Sequence, residues 1–430
     1  MSPVEDKPDD ELAILWNGER AGTLRRRRGR LSLTYEDSWR LRHDATPMSL
    51  SMPLAARAHP HRVVEPFLWG LLPDNDAVLR RWGRDFQVST SHPFGLLANV
   101  GEDLPGAMQL LRPDRASEMD GAGWTGNVDW LEIDDVADLL RGVRVDHTAW
   151  LANRAGGRWS LAGAQPKIAL LREGERWGRP SGRTPTTHIL KPAVVGLDEH
   201  DLNEHLCLAA SRHLGLRAAV TEVGSFGEER AIVVERYDRI RQEGVWRRVH
   251  QEDMCQALGR HPSQKYQSDG GPSPAAIAGL LRASMDSRSA KVAVSGFVDA
   301  LAFNWLIAGP DAHAKNYALL LEGPQARLAP LYDIASALAY DDFHPPKVKL
   351  AMKIGGYYLL SAIGPRAWTR LAEDLHLDRD LVLNRVSDLI DRVADAFAKA
   401  AAAPEVVALG SPLPARLVDA IGARAASVAL

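Results

Sequence analysis

The sequence predicts an α+β fold with two lobes, a mixed α/β lobe followed by a mainly helical one. Two observations lead to this class. Short alternating stretches typical of strands prevail up to about residue 240, and helical spacing prevails from about Gln251 onward. In addition, 430 residues with 45% hydrophobic and 25% charged residues suit a globular chain of two or three domains.

Composition argues against several classes of protein. The net charge of −3 gives no overall field for nucleic acid or a membrane surface. Cys207 and Cys255 are too few for a disulfide framework, which suits a reducing cytosol, and we expect both to be buried thiols. The acidic N-terminus lacks the features of a signal peptide. The apolar stretch 297–309 is shorter than the ~20 residues of a membrane helix. We expect a soluble, cytoplasmic protein without a membrane partner.

The first unit alternates like a sheet. "LAILWNGERAGTL" and "GRLSLTY" predict two strands joined through the basic run Arg25–Arg28. This run offers cations to DNA phosphates, but a solvated hairpin turn in a near-neutral chain is the favoured interpretation. The segment 73–75 predicts a stop, "AVLRRWGRDF" a short amphipathic helix, and "GAMQLLRP" a strand that closes the unit near residue 113.

The middle of the chain alternates between the two periodicities. Residues 114–130 are polar and glycine-rich, which indicates a linker or long loop, and "IDDVADLLRGV" predicts a helix. "RWSLAGAQPKIALL", "THILKP" and "RAIVVERYDR" predict strands, the second of them stopped by Pro192. "NEHLCLAASRHLGL" predicts a helix capped at Gly215, and Ala396–Ala402 is a strong helix-forming run.

These patterns predict four units along the chain. They are an N-terminal subdomain (1–113), a linker and helix (114–150), a small lobe (151–240) and a helical lobe (241–430).

The stretch "IAGPDAHAKNYALLL" places polar chemistry between two apolar runs. Asp311 and Asn316 are five positions apart, the spacing of the protein-kinase catalytic loop. In that loop the Asp accepts the hydroxyl proton and the Asn binds magnesium. By itself, this pair is better explained by a solvated surface turn.

Three further residues follow the order of a kinase. Asp333 in "LAPLYDIAS" stands where a second magnesium-binding carboxylate belongs, although it also suits the N-cap of a helix "IASALAY". Lys191 lies on the apolar strand "THILKP", where burial requires an anionic partner; an edge strand in water is the alternative. Gly163 lies between two strand-like runs, where backbone N–H groups are free for phosphates. Together these residues predict a protein-kinase-like two-lobed fold with nucleotide between the lobes.

The pattern also departs from typical kinases. The phosphate loop has neither Gly-x-Gly-x-x-Gly nor a Walker Gly-Lys-Ser. Gly309-Pro310 replaces the His-Arg before the catalytic Asp, His313 stands where kinases carry a lysine, and Ile-Ala follows Asp333 in place of Phe-Gly. A typical activation loop is therefore not expected.

Longer stretches resemble the HipA family of bacterial toxin kinases. They run from about residue 12 to beyond 336 and comprise "LLPDNDAVLRRW" (71–82), "PFGLLANVGEDLPGAMQL" (93–110), "SLAGAQPK" (160–167), "TPTTHILKP" (184–192), "VVERYDR" (233–239), "QEDMCQALG" (251–259), "KYQSDGGP" (265–272), "DAHAKN" (311–316) and "LYDIAS" (331–336).

The resemblance implies an activity and its partners. It implies an ATP- and Mg²⁺-dependent Ser/Thr protein kinase that is the toxin of a toxin–antitoxin pair. Its protein substrate would be an aminoacyl-tRNA synthetase such as the glutamyl enzyme, and phosphorylation would arrest translation and give persistence. Its partner would be a HipB-like helix-turn-helix antitoxin dimer, which would make most of the DNA contacts.

The resemblance also assigns roles to residues. Asp311 would be catalytic, Asn316 and Asp333 would bind Mg²⁺, and Lys191 would contact the α- and β-phosphates. Ser160 would be autophosphorylated, which would place about −1.5 to −2 charges beside the nucleotide and expel the loop. The remaining nucleotide-binding residues would be Leu161, Ala162, Gly163, Ala164, Gln165, Glu235 and Tyr237.

Several neighbours keep two interpretations. The His313 side chain could contact the γ-phosphate, orient Asp311 or form a purely structural hydrogen bond. Lys315 could contact phosphate or be a solvated or backbone-bound cation. Lys167 suits the nucleotide or the solvent. Glu204 suits an ion pair with Lys191 or a favourable charge at a helix N-terminus. His313 and Lys315 are included among the expected nucleotide-binding residues.

Two other functions fit the same residues. One is a small-molecule kinase on the same scaffold, because the sequence does not define the acceptor. The other is a catalytically silent partner or co-repressor of a DNA-binding antitoxin. Nucleotide binding without transfer distinguishes this silent protein from a kinase.

Overall fold

A computed structural model describes residues 10–119, 126–150, 158–194, 196–340 and 347–428. Its N-terminal unit is a five-stranded antiparallel sheet covered by helices, with strand order β4-β3-β2-β1-β5. The elements of this unit are β1 (Glu11–Trp16), β2 (Glu19–Arg27), β3 (Arg30–Tyr35), α1 (Asp37–Arg40), β4 (Ala58–Pro60), α2 (His61–Gly70), α3 (Asp76–Asp85), α4 (Pro93–Val100) and β5 (Met108–Leu111).

The basic run lies in a strand, not in the turn that we predicted. The first predicted strand folds back at Asn17-Gly18, where both residues have positive φ, as a tight hairpin turn requires. Most of the run therefore belongs to β2, which extends to Arg27. Arg25 pairs with Glu11 at 2.8 Å and Arg26 with Asp10 at 2.7 Å. Partners in the same unit thus neutralise part of this charge.

The N-terminal unit has its own apolar core. The predicted helix is α3, whose N-cap Asn75 accepts hydrogen bonds from the N–H groups of Ala77 and Val78. This helix buries Trp82 in the same cluster to which α2 and α4 contribute Phe67 and Phe94. The predicted strand "GAMQLLRP" is β5, so these two predictions are confirmed.

The predicted linker is largely structured. A helix, α5 (Pro113–Met119), begins it and a strand, β6 (Asn127–Leu131), ends it; residues 120–125 lie outside the described part. Polar composition misled the prediction because both elements are mostly exposed. The following helix, α6 (Ile133–Val145), is confirmed, and a capping box between Glu132 and Asp135 starts it.

A six-stranded sheet with order β10-β11-β9-β7-β8-β6 forms the small lobe. Its inner strands bury alternate apolar side chains against α6, and the helix α7 crosses from this sheet to the helical lobe. The elements are β7 (Ile168–Glu173), β8 (Arg176–Ser181), β9 (His188–Pro192), α7 (His200–His213), β10 (Thr221–Phe226) and β11 (Glu229–Glu235).

The large lobe is mainly helical but also contains strands. Its long helices pack around Trp305, whose ring meets that of Trp368 edge-on at 5.5 Å. The elements are β12 (Arg239–Gln242), β13 (Val245–Arg248), β14 (His250–Asp253), α8 (Met254–Ala257), α9 (Pro274–Ser284), α10 (Ser287–Leu306), β15 (Ala318–Glu322), β16 (Gln325–Leu328), β17 (Lys349–Ile354), β18 (Tyr357–Leu359), α11 (Pro365–Asp374), α12 (Arg379–Ala401), α13 (Pro404–Val407) and α14 (Leu413–Ser427).

The expectation of an almost wholly helical region after Gln251 is therefore too simple. The strand β15 lies between β14 and β16, and β17 pairs with β18. Short apolar runs such as "ALLLE" do not distinguish a strand from a buried helix by their period. Cys207 and Cys255 are buried thiols, as expected. Within the described ranges, no helix is long and apolar enough to cross a membrane.

Candidate active site

A cleft of about 550 Å³ separates the small-lobe sheet from the helical lobe. The segments that line it include the loop 161–167, strand β9, the end of β11 with residues 235–238, the loop 309–316 and the segment 332–337. All the expected nucleotide-binding residues line this cleft, and the buried Ser160 directly precedes the lining residue Leu161 in the chain.

Lys191 connects the two lobes. It lies on β9, which has β11 and β7 on either side, so the edge-strand alternative is wrong. Its Nζ donates to Glu204 Oε1 and to Asp333 Oδ1, both at 2.8 Å. Burial opposes the charge, but the two carboxylates outweigh it and raise the pKa of Lys191 above its ordinary value. The side chain is therefore a fixed cation at the roof of the cleft.

Glu204 is the anchor of that lysine. It lies in the buried first half of α7, and its side chain is only 2% exposed. The structure shows the predicted ion pair, because Glu204 faces Lys191 from the second turn of α7. Its Oε2 has no hydrogen-bond partner within the described part of the chain.

Asp333 has an unusual backbone and a strongly held charge. Its φ of 58° lies in the left-handed region, which a non-glycine residue enters only when its surroundings compensate for the strain. Burial raises the pKa of Asp333, but Lys191 and Lys167 more than compensate, so the pKa lies below its ordinary value. The N-cap alternative is wrong, because Ser336 caps the short turn Ala337–Ala339 that follows.

The catalytic-loop candidate begins where α10 ends. Asp311 is 62% exposed and faces the open side of the cleft. Asn316 Nδ2 donates to Asp311 O at 2.7 Å, and this bond closes the loop. The Tyr266 hydroxyl donates a short hydrogen bond to Asp311 Oδ1. The structure thus places the exposed Asp311 and the buried Asn316 together in one closed loop.

His313 supports the loop from within. Its ring is buried and meets Tyr266 edge-on at 5.0 Å, and its Nε2 lies 3.9 Å from Asp311 Oδ1. Burial is the main cause that lowers the pKa of His313 below its ordinary value. The neutral imidazole therefore prevails at neutral pH, beside the carboxylate.

The phosphate-loop candidate lies against the N-terminal unit. The Ser160 hydroxyl is fully buried and donates to Leu71 O at 2.7 Å. Gly163 has φ +102°, and a Cβ there would lie 2.6 Å from Lys167 Nζ, so the loop needs glycine at this position. Gln165 Nε2 is buried without a partner among the residues that the structure describes.

Lys167 points into the cleft, although the sequence left its direction open. Its Nζ donates to Ala162 O at 2.7 Å and lies 4.9 Å from the centre of the Trp150 ring. Burial and the neighbouring Lys191 lower the pKa of Lys167 to about 8. It is a second cation beside Asp333, which sequence reasoning did not include in the site.

Lys315 is buried and paired, not solvated. Its Nζ lies 2.5 Å from Asp74 Oδ1, and Lys265 Nζ lies 3.2 Å from the other oxygen of the same carboxylate. Asp74 belongs to the N-terminal unit. This contact between distant segments had no local signal in the sequence.

The far end of the cleft suits a flat ring. Ile189 and Val234 line it from the small lobe, and the rings of Tyr237 and Tyr332 lie 5.8 Å apart below. The Tyr237 hydroxyl donates to Gln251 Oε1, and burial raises its pKa well above the ordinary value. Glu235 is exposed at the end of β11, at the rim.

A buried charge network supports this end of the cleft. Arg236 and Arg239 bind both Asp238 and Asp103, and Arg248 also contacts Asp103, at 2.8 to 3.3 Å. Asp103 follows α4 of the N-terminal unit, so the network joins that unit to the strand end beside the cleft. Three residues of this network lie in the motif "ERYDR", from which we assigned only Glu235 and Tyr237 to the site.

The residues present suit a magnesium ion bound with ATP. Asn316 uses its Nδ2 within the loop, which leaves Oδ1 available, and Asp333 retains Oδ2 after binding Lys191. Such hard oxygen donors match Mg²⁺, which takes one or two protein ligands together with phosphates and water. The described residues include no group of three or more His, Cys, Asp or Glu able to hold a metal by themselves.

The small mixed lobe, the helical lobe and the cleft with its Lys191–Glu204 pair define a kinase-like fold. A chain of the solved complex described as the Shewanella oneidensis MR-1 toxin–antitoxin system HipA, HipB and operator DNA has the same fold. The TM-score is 0.82, at 24% identity over 97% of each chain.

Family models and relatives agree with this likeness. The model "HipA-like C-terminal domain" matches residues 159–401, and "HipA N-terminal domain" matches residues 12–111. The Sinorhizobium fredii protein named "Putative kinase Y4mE" is 33% identical over 97% of this chain and 98% of its own. The Shewanella oneidensis "Serine/threonine-protein kinase toxin HipA" is 27% identical over 85% of this chain and 83% of its own. The chain belongs to the HipA family.

Proposed function

We propose that this protein is a Ser/Thr protein kinase and the toxin of a toxin–antitoxin module. The observation that carries the proposal is the contact of Lys191 with both Glu204 and Asp333, in a cleft that Asp311 and Asn316 also line. Phosphoryl transfer depends mainly on positioning and on cations against phosphate charge. Relatives named as kinases support the same activity.

In this proposal ATP lies along the cleft with its base at the apolar end. Ile189 and Val234 cover the ring, and Glu235 and Tyr237 border it. Lys191 contacts the α- and β-phosphates, and the loop from Leu161 to Gln165 covers them with backbone N–H groups. Lys167 adds a second cation from the same side.

Asn316 and Asp333 would hold magnesium, which when bound offsets phosphate charge. The acceptor hydroxyl donates its proton to Asp311 as its oxygen attacks the γ-phosphorus, and the bond to the β–γ bridging oxygen breaks to release ADP. In the structure the Tyr266 hydroxyl donates a hydrogen bond to Asp311 Oδ1, so the acceptor hydroxyl must displace this phenol to reach the carboxylate. His313 stays neutral and supports Asp311 from behind.

Autophosphorylation at Ser160 would regulate the enzyme. The hydroxyl is fully buried against Leu71 O, so the loop must leave its place before Ser160 accepts phosphate. A phosphate of about −1.5 to −2 charges cannot return to a site built for a hydroxyl beside a carbonyl oxygen. The modified loop would stay out, and ATP would lose its phosphate contacts.

The partners follow from the relatives. A solved relative is titled as a complex of HipA with HipB and operator DNA, which supports a HipB-like helix-turn-helix antitoxin dimer for this chain. DNA contact would pass mainly through that antitoxin, because Arg25 and Arg26 are already paired with Glu11 and Asp10. The protein substrate would be an aminoacyl-tRNA synthetase such as the glutamyl enzyme, so that growth stops by translation arrest.

Intact-mass analysis after incubation with Mg-ATP tests the activity. The expected result is one added phosphate that maps to Ser160 and is absent from Asp311→Ala. A protein that binds ATP and never transfers phosphate would instead be a silent partner of the antitoxin. Transfer to a small molecule, with no phosphate on any protein, would identify a small-molecule kinase.

A further inference from the structure

The segment 71–75, which joins α2 to α3, holds the phosphate loop. Leu71 O accepts the Ser160 hydroxyl at 2.7 Å, and Asp74 N–H donates to Gly163 O at 3.0 Å. Pro73 also forms a parallel bridge with Gly163. The loop over the cleft is therefore docked on the N-terminal unit by backbone contacts.

The same segment holds the catalytic loop through one side chain. The Asp74 carboxylate accepts from Lys315 Nζ at 2.5 Å and from Lys265 Nζ at 3.2 Å. Lys315 lies within the catalytic loop, and Lys265 O accepts the N–H of Ala314 at 3.1 Å. Asp74 thus holds both the catalytic loop and the segment at Lys265, whose backbone accepts a hydrogen bond from that loop.

The Asp74–Lys315 pair is largely buried. The Lys315 side chain is 3% exposed and that of Asp74 12%. Removing one partner of a buried ion pair leaves the other charge uncompensated, so the remaining partner moves or draws in water. The Asp74 carboxylate accepts hydrogen bonds from Lys315 and Lys265, whereas Asp311 accepts one from Tyr266. The influence of Asp74 on the reaction passes through the two lysines.

We propose that Asp74 is a positioning residue that couples docking of the phosphate loop to placement of the catalytic loop. This inference rests on the proposed kinase function and concerns its regulation. While the phosphate loop is docked, segment 71–75 is held and its carboxylate pins Lys315 and Lys265. When the phosphate loop leaves, the segment loses its backbone contacts, and the catalytic loop loosens with it. Modification of Ser160 would then disable both halves of the site.

Hydrogen–deuterium exchange without nucleotide tests the coupling directly. Asp74→Asn keeps the backbone N–H and the side-chain shape but removes the charge. We expect the amides of 311–317 to exchange about tenfold faster or more, because local opening becomes easier when a buried ion pair is lost. The matched control is Asp76→Asn, an exposed acidic residue two positions away, which should exchange like the parent.

A second pair of variants tests the direction of the coupling. Ser160→Asp opens the phosphate loop, and we expect faster exchange in 311–317 as well, whereas in the Asp74→Asn background it adds little there. A catalytic loop that exchanges at the parental rate in Asp74→Asn overturns the proposal. A Ser160→Asp protein with an open phosphate loop and a protected catalytic loop also overturns it. If Asp74→Asn does not fold, Lys265→Met removes the more exposed partner and serves the same test.

Kinetics separate positioning from general stability. For Asp74→Asn we expect kcat to fall about tenfold or more with the KM for ATP within about threefold, because only the catalytic loop is displaced. Asp74→Glu keeps the charge and should recover most of kcat. Equal losses in Asp74→Glu and Asp74→Asn would contradict a role of the charge. Absence of phosphoryl transfer in the parent would refute the proposed function and leave the exchange result to decide the coupling.

Discussion

The Nζ of Lys191 lies 2.8 Å from Oδ1 of Asp333, 142 residues further along the chain. This ion pair joins a strand of the small lobe to a loop of the large lobe, at the centre of the cleft. Glu204 binds the same ammonium, so one positive charge on the small lobe contacts a carboxylate on α7 and another on the large lobe. The pair is the structural basis of the nucleotide site that we propose.

Replacing this lysine should abolish binding and weaken the fold. In Lys191→Met, Glu204 and Asp333 lose their shared cation, and truncating a buried pair costs about 3–5 kcal/mol. We expect a lower midpoint in urea unfolding and loss of Mg-ATP binding by calorimetry. Lys349→Met, an exposed lysine on β17, is the control. A Lys191→Met protein that binds Mg-ATP like the parent would contradict the assigned role.

A permanent charge at Ser160 should abolish the proposed phosphoryl transfer. In Ser160→Asp a carboxylate meets Leu71 O in a buried site, so the loop is expelled, and we expect phosphoryl transfer to fall by about 100-fold or more, as for loss of positioning at an active site. Ser160→Ala should keep transfer to a protein acceptor while adding no phosphate to itself. Transfer assays with labelled ATP distinguish the two. An active Ser160→Asp protein would show that the docked loop is not required.

The affinity for ATP should depend on pH through Lys167. The pKa of this lysine is about 8 in the free protein, below its ordinary value, so its ammonium is lost as pH rises through 8. A bound phosphate favours the charged form, and binding therefore takes up a proton above that pH. Calorimetric titrations should show weaker binding of Mg-ATP between pH 8 and 9.5. In Lys167→Arg, which stays charged, the dependence should be absent.

The buried network around Asp103 should make the fold sensitive to acid. Burial raises the pKa of Asp103, but Arg239, Arg236 and Arg248 hold it below the ordinary value. A lowered folded-state pKa gives stability that is complete above the unfolded pKa, about 3.9, and is lost as pH falls below it. The urea concentration at the midpoint of unfolding of the parent should fall steeply below about pH 4.

A matched variant isolates that contribution. Asp103→Asn should lose about 3–5 kcal/mol at pH 7, because three buried guanidinium groups lose a partner. Its stability should then fall less than that of the parent between pH 5 and 3. Equal slopes for both proteins would show that Asp103 does not carry this dependence.

Local pattern was enough to predict the elements that carry the site. The strand of Lys191, the helix of Glu204 and the loop from Asp311 to Asn316 each follow from periodicity and spacing over fewer than twenty residues. Their order along the chain indicated the two-lobed fold, which the comparison confirms. The unit boundaries at 113, 150 and 240 and the roles of the site residues stay predictions.

Contacts across long stretches of chain could not be predicted. Asp74 meets Lys315 at a separation of 241 residues, and Asp103 meets Arg239 at a separation of 136. No period or spacing encodes such pairs, because they arise only when the N-terminal unit packs on the cleft. For the same reason, the direction of the Lys167 side chain could not be predicted, because it depends on packing against Trp150.

Phosphate incorporation from Mg-ATP, measured by intact mass under saturating nucleotide for the parent and Asp311→Asn, tests the kinase proposal most directly. Asp311→Asn keeps the shape of the loop and should bind nucleotide within about threefold of the parent, but its transfer rate should fall by about 100-fold or more. We predict one phosphate on the parent and none on the variant over the same time. Equal incorporation in both proteins, or nucleotide binding without transfer in the parent, would contradict this prediction.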